Sequence, residues 1–73
     1  MPSLPTLSGG DVIRGLERQG FVRVSPRGSH VKLRRADTTV IVPDHRELRK
    51  GTLAAILRQA GIGIEALMNG LAN

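Results

Sequence analysis

The sequence predicts an α+β fold in which helices cover one face of a three-stranded antiparallel sheet. This prediction rests on two observations. Apolar residues recur at helical spacing near both ends of the chain. Between them, residues 21–42 form short apolar or alternating runs separated by turn residues. The resulting order, α-β-β-β-α with a terminal turn of helix, leaves the other face of the sheet open. With 73 residues the chain forms one domain at most.

The first helix is predicted to begin after Ser8 and to end at Gly20. Ser8 is a typical N-cap residue, and Asp11 follows three residues later in a capping-box arrangement. An apolar stripe at helical spacing comes next, formed by Val12, Ile13 and Leu16. Residues 1–7 contain two prolines and no periodic pattern, so we expect a flexible N-terminal tail there and a single domain over residues 8–73.

Three strands are predicted, at residues 21–25, 29–35 and 39–42. The segment Pro26-Arg27-Gly28 forms the first turn, and Pro43 ends the third strand.

The second strand alternates strictly. Val31 and Leu33 lie on one of its faces, whereas His30, Lys32 and Arg34 lie on the other. If the apolar pair faces the core, His30 is displayed on the open face beside two cations.

Two further helices are predicted after a charged connection at residues 44–50. Gly51 and Thr52 open the first of them, and Gly61 ends it. Its core stripe is Leu53, Ile56 and Leu57, and the short final helix carries Ile64, Leu67 and Met68.

Composition excludes several classes of function. Eleven Lys or Arg against six Asp or Glu give a formal charge of +5, which favours nucleic acid or an acidic protein surface as partner. The absence of cysteine excludes disulfides, cysteine-based zinc sites and thiol nucleophiles. A single Phe, with no Trp or Tyr, argues against base stacking on aromatic rings. Without a signal-peptide pattern or an apolar run near the ~20 residues that span a bilayer, we expect a soluble, cytoplasmic protein with no membrane association.

His30 is the foremost candidate for chemistry. Between Arg18 and Ala36 there are six basic residues and no acid, and such a field attracts phosphates. An imidazole there can give or take a proton near neutral pH. The alternative is a bystander histidine. Ser29 is adjacent on the strand and therefore points away from His30, so it is better suited to capping the turn than to acting as a nucleophile.

His45 is the second histidine, and the sequence allows two interpretations of its role. It is either a second acid/base group or phosphate contact, or a loop residue that bonds to backbone. The spacing of the two histidines and Asp44 does not favour a metal site. The basic residues Arg46, Arg49 and Lys50 form either a clamp for phosphate or protein, or a solvated loop.

Five motifs, in this order and spacing, resemble the HicA (YcfA-like) toxin family of prokaryotic toxin–antitoxin systems. They are Ser8-Gly9, Leu16 with Gly20-Phe21, Gly28-Ser29-His30, Val42-Pro43 with His45, and Gly51-Thr52-Leu53 running into Ile56-Leu57-Arg58-Gln59-Ala60-Gly61. The resemblance covers about residues 8–68. It implies a fold similar to a double-stranded-RNA-binding domain, a ribonuclease that cleaves messenger RNA, and a HicB-type antitoxin that masks the site. It also implies that His30 is catalytic. The strand after His30 lacks the aromatic residue that many relatives carry.

The resulting hypothesis is metal-independent RNA cleavage that needs no cofactor. His30 either takes the proton from a ribose 2′-OH or protonates the departing 5′-oxygen. The expected RNA-binding residues are Arg27, Gly28, Ser29, Lys32, Arg34 and His45. Two alternatives are a non-catalytic RNA-binding module and a chain that binds only an acidic protein.

Overall fold

The computed structural model describes residues 4–25 and 28–72, and it confirms the α+β prediction. The elements in chain order are α1 (Gly9–Arg18), β1 (Val22–Ser25), β2 (His30–Arg35), β3 (Thr38–Pro43), α2 (Lys50–Ala60) and α3 (Ile64–Ala72). The strands form one antiparallel sheet in the order β1-β2-β3. His30 therefore begins the central strand.

The capping box predicted at the start of α1 is present. The Ser8 hydroxyl accepts from the Asp11 backbone N–H at 3.0 Å, and the Asp11 carboxylate accepts from the Ser8 backbone N–H at 3.1 Å. The hydrogen bond from the Ser8 backbone N–H lowers the pKa of Asp11. Partial desolvation raises this pKa, whereas the Ser8 hydroxyl and the Arg14 guanidinium lower it further.

The two faces of the sheet differ as the alternation of β2 predicts. Val31 pairs with Val42 and Leu33 with Val40, and all four side chains are buried beneath the helices. The opposite, open face carries His30, Lys32 and Arg34 of β2, with Val22 of β1 and Ile41 of β3 as their neighbours. The apolar residues of β2 thus hold the helices, and its polar residues remain accessible.

Glycine allows α1 and α3 to pack closely. A Cβ atom on Gly15 would lie only 2.5 Å from Leu67 Cδ1, and Leu67 is fully buried. The Gln19 side-chain amide donates to the Ala66 carbonyl at 3.0 Å. The predicted terminal turn is therefore a nine-residue helix that completes the core.

Two residues before Ser8 pack against the core, although the sequence predicts a flexible tail over residues 1–7. Leu7 is buried in the core, and its carbonyl accepts from the Leu48 N–H at 2.8 Å. Leu4 packs against the same core, and its carbonyl accepts from the Lys50 ammonium. Leu4 and Leu7 are isolated apolar residues with no periodicity, so no pattern in the sequence indicated this packing. Residues 1–3 lie outside the described residues.

Candidate functional site

The two histidines lie side by side at one end of the sheet. His30 pairs with Pro43 across the ladder between β2 and β3, so the residues that follow β3 emerge next to it. His45 is the second of these, and its ring centroid lies 6.3 Å from that of His30 at an interplanar angle of 74°. Both residues are exposed. The structure therefore brings together the two histidines that the sequence left as separate candidates.

Backbone hydrogen bonds hold the loop that carries His45, here called the His45 loop (residues 44–49). The Asp44 N–H donates to the Ser29 carbonyl at 2.7 Å, and the Gly9 N–H donates to the His45 carbonyl at 2.8 Å. A Cβ atom on Gly9 would lie 2.1 Å from the Pro43 carbonyl oxygen, so only glycine permits this approach. The start of α1 thus positions His45.

Ser29 contacts His30, contrary to the prediction that the two point apart. The Ser29 hydroxyl lies 3.2 Å from His30 Nδ1. Strand alternation does not apply to Ser29, because it lies in a bend before the first residue of β2. A hydroxyl both donates and accepts, so it can orient the ring whether Nδ1 carries a proton or not.

Lys32 and Arg34 occupy the open face at different distances from His30. Lys32 is the next outward residue along β2, and within residues 4–25 and 28–72 its ammonium forms no hydrogen bond or ion pair. Arg34 lies four residues from His30, about 13 Å along the strand, and its Nε donates to the Ala36 carbonyl at 2.9 Å. Lys32 is therefore the cation nearer to the histidine pair.

Other residues of the basic segment are engaged in the fold. The Arg35 guanidinium lies 4.6 Å from the centroid of the Phe21 ring and donates to the Gln19 carbonyl at 2.7 Å. Arg23 pairs with Glu17 of α1 at 3.3 Å. The sequence showed the number of cations in this segment but not this division between structural and available ones.

The predicted first turn is only partly described. Arg27, one of the expected RNA-binding residues, lies outside the described residues. Gly28 adopts φ +84°, and no described atom lies within 4 Å of the position that a Cβ would occupy. The positive φ angle therefore favours glycine at this position. No close contact with a described residue adds to this preference.

A polar cleft of about 420 Å³ adjoins the histidine pair, a feature that the sequence did not predict. Its lining residues are Pro43, His45, Glu47, Leu48, Arg49 and Thr52. Leu48 is buried and fixes the His45 loop to the core. A single leucine among charged residues is the signal that could have indicated a folded loop.

Among residues 4–25 and 28–72, no group of three or more His, Cys, Asp or Glu side chains converges to hold a metal ion. No described helix combines the length and the apolar character needed to cross a membrane.

Residues 9–62 match the family described as the HicA toxin of bacterial toxin-antitoxin. The chain belongs to the HicA toxin family. The matched range includes α1, the sheet, α2 and both histidines. As a HicA toxin, the protein belongs to a toxin–antitoxin system and has an antitoxin as its partner. No curated protein matches the sequence.

Proposed function

We propose that this HicA toxin is a cytoplasmic endoribonuclease that cleaves messenger RNA, with His30 and His45 as an acid/base pair. The proposal rests on one observation: the centroids of two exposed imidazole rings lie 6.3 Å apart. Hydrogen bonds to a phosphodiester span about 2.7–3.2 Å on each side, so both rings can reach oxygens around the same phosphate.

The proposed reaction is an internal transesterification. His30 Nε2 takes the proton from the ribose 2′-OH, and the 2′-oxygen attacks the adjacent phosphorus. The bond from phosphorus to the 5′-oxygen breaks, and protonated His45 gives its proton to that oxygen. The products are a 2′,3′-cyclic phosphate and a 5′-hydroxyl. No metal ion, cofactor or water nucleophile takes part in this step.

Ser29 supports His30 as the base of this pair. When Nδ1 carries the proton it can donate to the Ser29 hydroxyl 3.2 Å away, and the Nε2 lone pair is then directed at the substrate. Lys32 stabilises the negative charge that develops on the phosphate. Arg34, together with Arg27 and Gly28, binds the flanking RNA backbone.

We infer that a HicB-type antitoxin inhibits the toxin by covering the open face. Besides its cations, this face exposes Val22 and Ile41, which are 63% and 48% accessible. Burying such apolar side chains would favour association, and complementary charge accelerates such an encounter. The same contact would exclude RNA from the histidines.

The proposal is tested by incubating the toxin with an RNA oligonucleotide and with the matching all-deoxy oligonucleotide. We expect cleavage of the RNA alone, because DNA lacks the 2′-OH, with 2′,3′-cyclic phosphate ends detected by mass spectrometry. The variant His30→Ala should bind RNA but cleave it about 10²–10⁴-fold more slowly, and Gln59→Ala, an exposed change on α2, is the control. Unchanged cleavage by His30→Ala would leave only an RNA-binding role for this residue.

A further inference from the structure

We propose that the cleft beside His45 is a nucleobase subsite in which Glu47 selects guanine next to the cleaved bond. The inference rests on the proposed ribonuclease function and assigns it a sequence preference. Its basis is the juxtaposition of a polar cleft, an available carboxylate and the histidine pair in one continuous surface. His45 belongs to both the pair and the cleft wall, so a nucleotide bound there lies next to the reacting phosphate.

The size and lining of the cleft fit a base better than a phosphate. Its volume of about 420 Å³ lies within the range of roughly 300–1,000 Å³ that is usual for small-molecule sites. Pro43 and Leu48 contribute apolar groups to the lining, and two further lining residues, His45 and Arg49, carry planar groups of the kind on which bases stack. The carboxylate of Glu47 repels a phosphate but accepts hydrogen bonds from a base.

Glu47 has the chemistry to distinguish among the four bases. Among the residues that the structure describes, its carboxylate has no ion-pair or hydrogen-bond partner. An ionised carboxylate has two acceptor oxygens. Guanine alone presents two adjacent donors on its Watson–Crick edge, N1–H and the N2 amine. Adenine and cytosine place an acceptor beside their amine, and uracil flanks its N3–H with two carbonyls. A paired, charge-assisted contact therefore favours guanine.

The direct test measures binding without cleavage. Uridine-rich 2′-O-methyl oligonucleotides lack the nucleophile, and each carries one variable base: guanine, inosine, adenine or cytosine. We expect the guanine oligonucleotide to bind about tenfold more tightly than the inosine one, since inosine lacks the N2 amine and one hydrogen bond to a charged group is lost. Glu47→Gln should reduce this preference to about onefold.

Glu65→Gln on α3 is the matched control, because it makes the same chemical change at an exposed residue outside the cleft lining. It should retain the guanine preference. Equal binding of all four oligonucleotides by the unsubstituted toxin would overturn the subsite. So would a Glu47→Gln variant that binds every oligonucleotide more tightly by the same factor, since that result indicates a phosphate site.

Sequencing the ends of cleaved transcripts separates this inference from the proposed nuclease activity. Cuts clustered at guanine that become dispersed in Glu47→Gln would support the subsite. Cuts with the same base distribution in both proteins would overturn it while leaving the nuclease intact. If no cleavage occurs at all, a Glu47-dependent guanine preference in the binding assay still supports the subsite, and the nuclease proposal alone fails.

Discussion

The two faces of β2 have opposite roles within six residues of sequence. Val31 and Leu33 are 5% and 0% exposed and pack against the helical layer, whereas His30, Lys32 and Arg34 face solvent. The residues of the covered face are needed for folding. Those of the open face contribute little to packing and belong to the proposed site. Substitutions on the two faces should therefore separate stability from activity.

The largest expected effect lies on the open face. His30→Ala and His45→Ala should each lower RNA cleavage by about 10²–10⁴-fold, because each removes one general acid or base. Their free energies of unfolding should change by no more than about 0.5 kcal/mol, as is usual for exposed residues. Single-turnover cleavage and urea denaturation measure the two quantities.

The double variant sharpens this prediction. If the histidines act as a unit, losing both should cost little more activity than losing the more important one. Independent, multiplicative losses would contradict a shared step.

The next effect lies on the covered face. Leu33→Ala should cost about 2–5 kcal/mol of unfolding free energy, because it opens a cavity at a fully buried position. Lys32→Ala, at the adjacent position on the open face, should leave stability nearly unchanged while weakening RNA binding. Equal destabilisation by the two variants in chemical denaturation would remove the contrast between the faces.

Gly9 connects the helical layer to the proposed site, since it lies in α1 and contacts the His45 loop. Gly9→Ala places a methyl group against the Pro43 carbonyl, and we expect a loss of about 1–3 kcal/mol from overpacking. Gly51→Ala is the control, because a Cβ there meets no described atom within 4 Å. In the Gly9 variant, the NMR signals of His45 should shift. Unchanged signals would show that α1 does not position the loop.

The smallest effect concerns the capping box. Ser8→Ala should cost about 1 kcal/mol. Because the pKa of Asp11 is lowered in the folded state, its ionised form stabilises the fold above the ordinary aspartate pKa, and this stabilisation is lost as the pH falls through the lowered value. Asp11→Asn should therefore be less stable than the unsubstituted protein at neutral pH. The difference in stability between the two proteins should disappear in acid. Thermal melts over a range of pH measure it, and a difference that persists in acid would contradict this role of Asp11.

The parts that the sequence predicted are those with a periodic or local signal. The alternation of β2 placed His30 outward, and Ser8 with Asp11 marked the start of α1. The meeting of His30 and His45 depends on the register His30↔Pro43 between two strands, which periodicity within one strand does not specify. The contact between Ser29 and His30 depends on a bend, and the packing of Leu7 depends on a single apolar residue. Neither feature produces a periodic pattern in the sequence, so neither could be predicted.

The pH dependence of cleavage tests the histidine pair most directly. We expect a bell-shaped profile, because one histidine must be neutral and the other protonated. His30→Ala should lose the acidic limb, where the base becomes protonated, and His45→Ala the alkaline limb, where the acid loses its proton. If both limbs persisted in either variant, His30 and His45 would not be the base and the acid of this reaction.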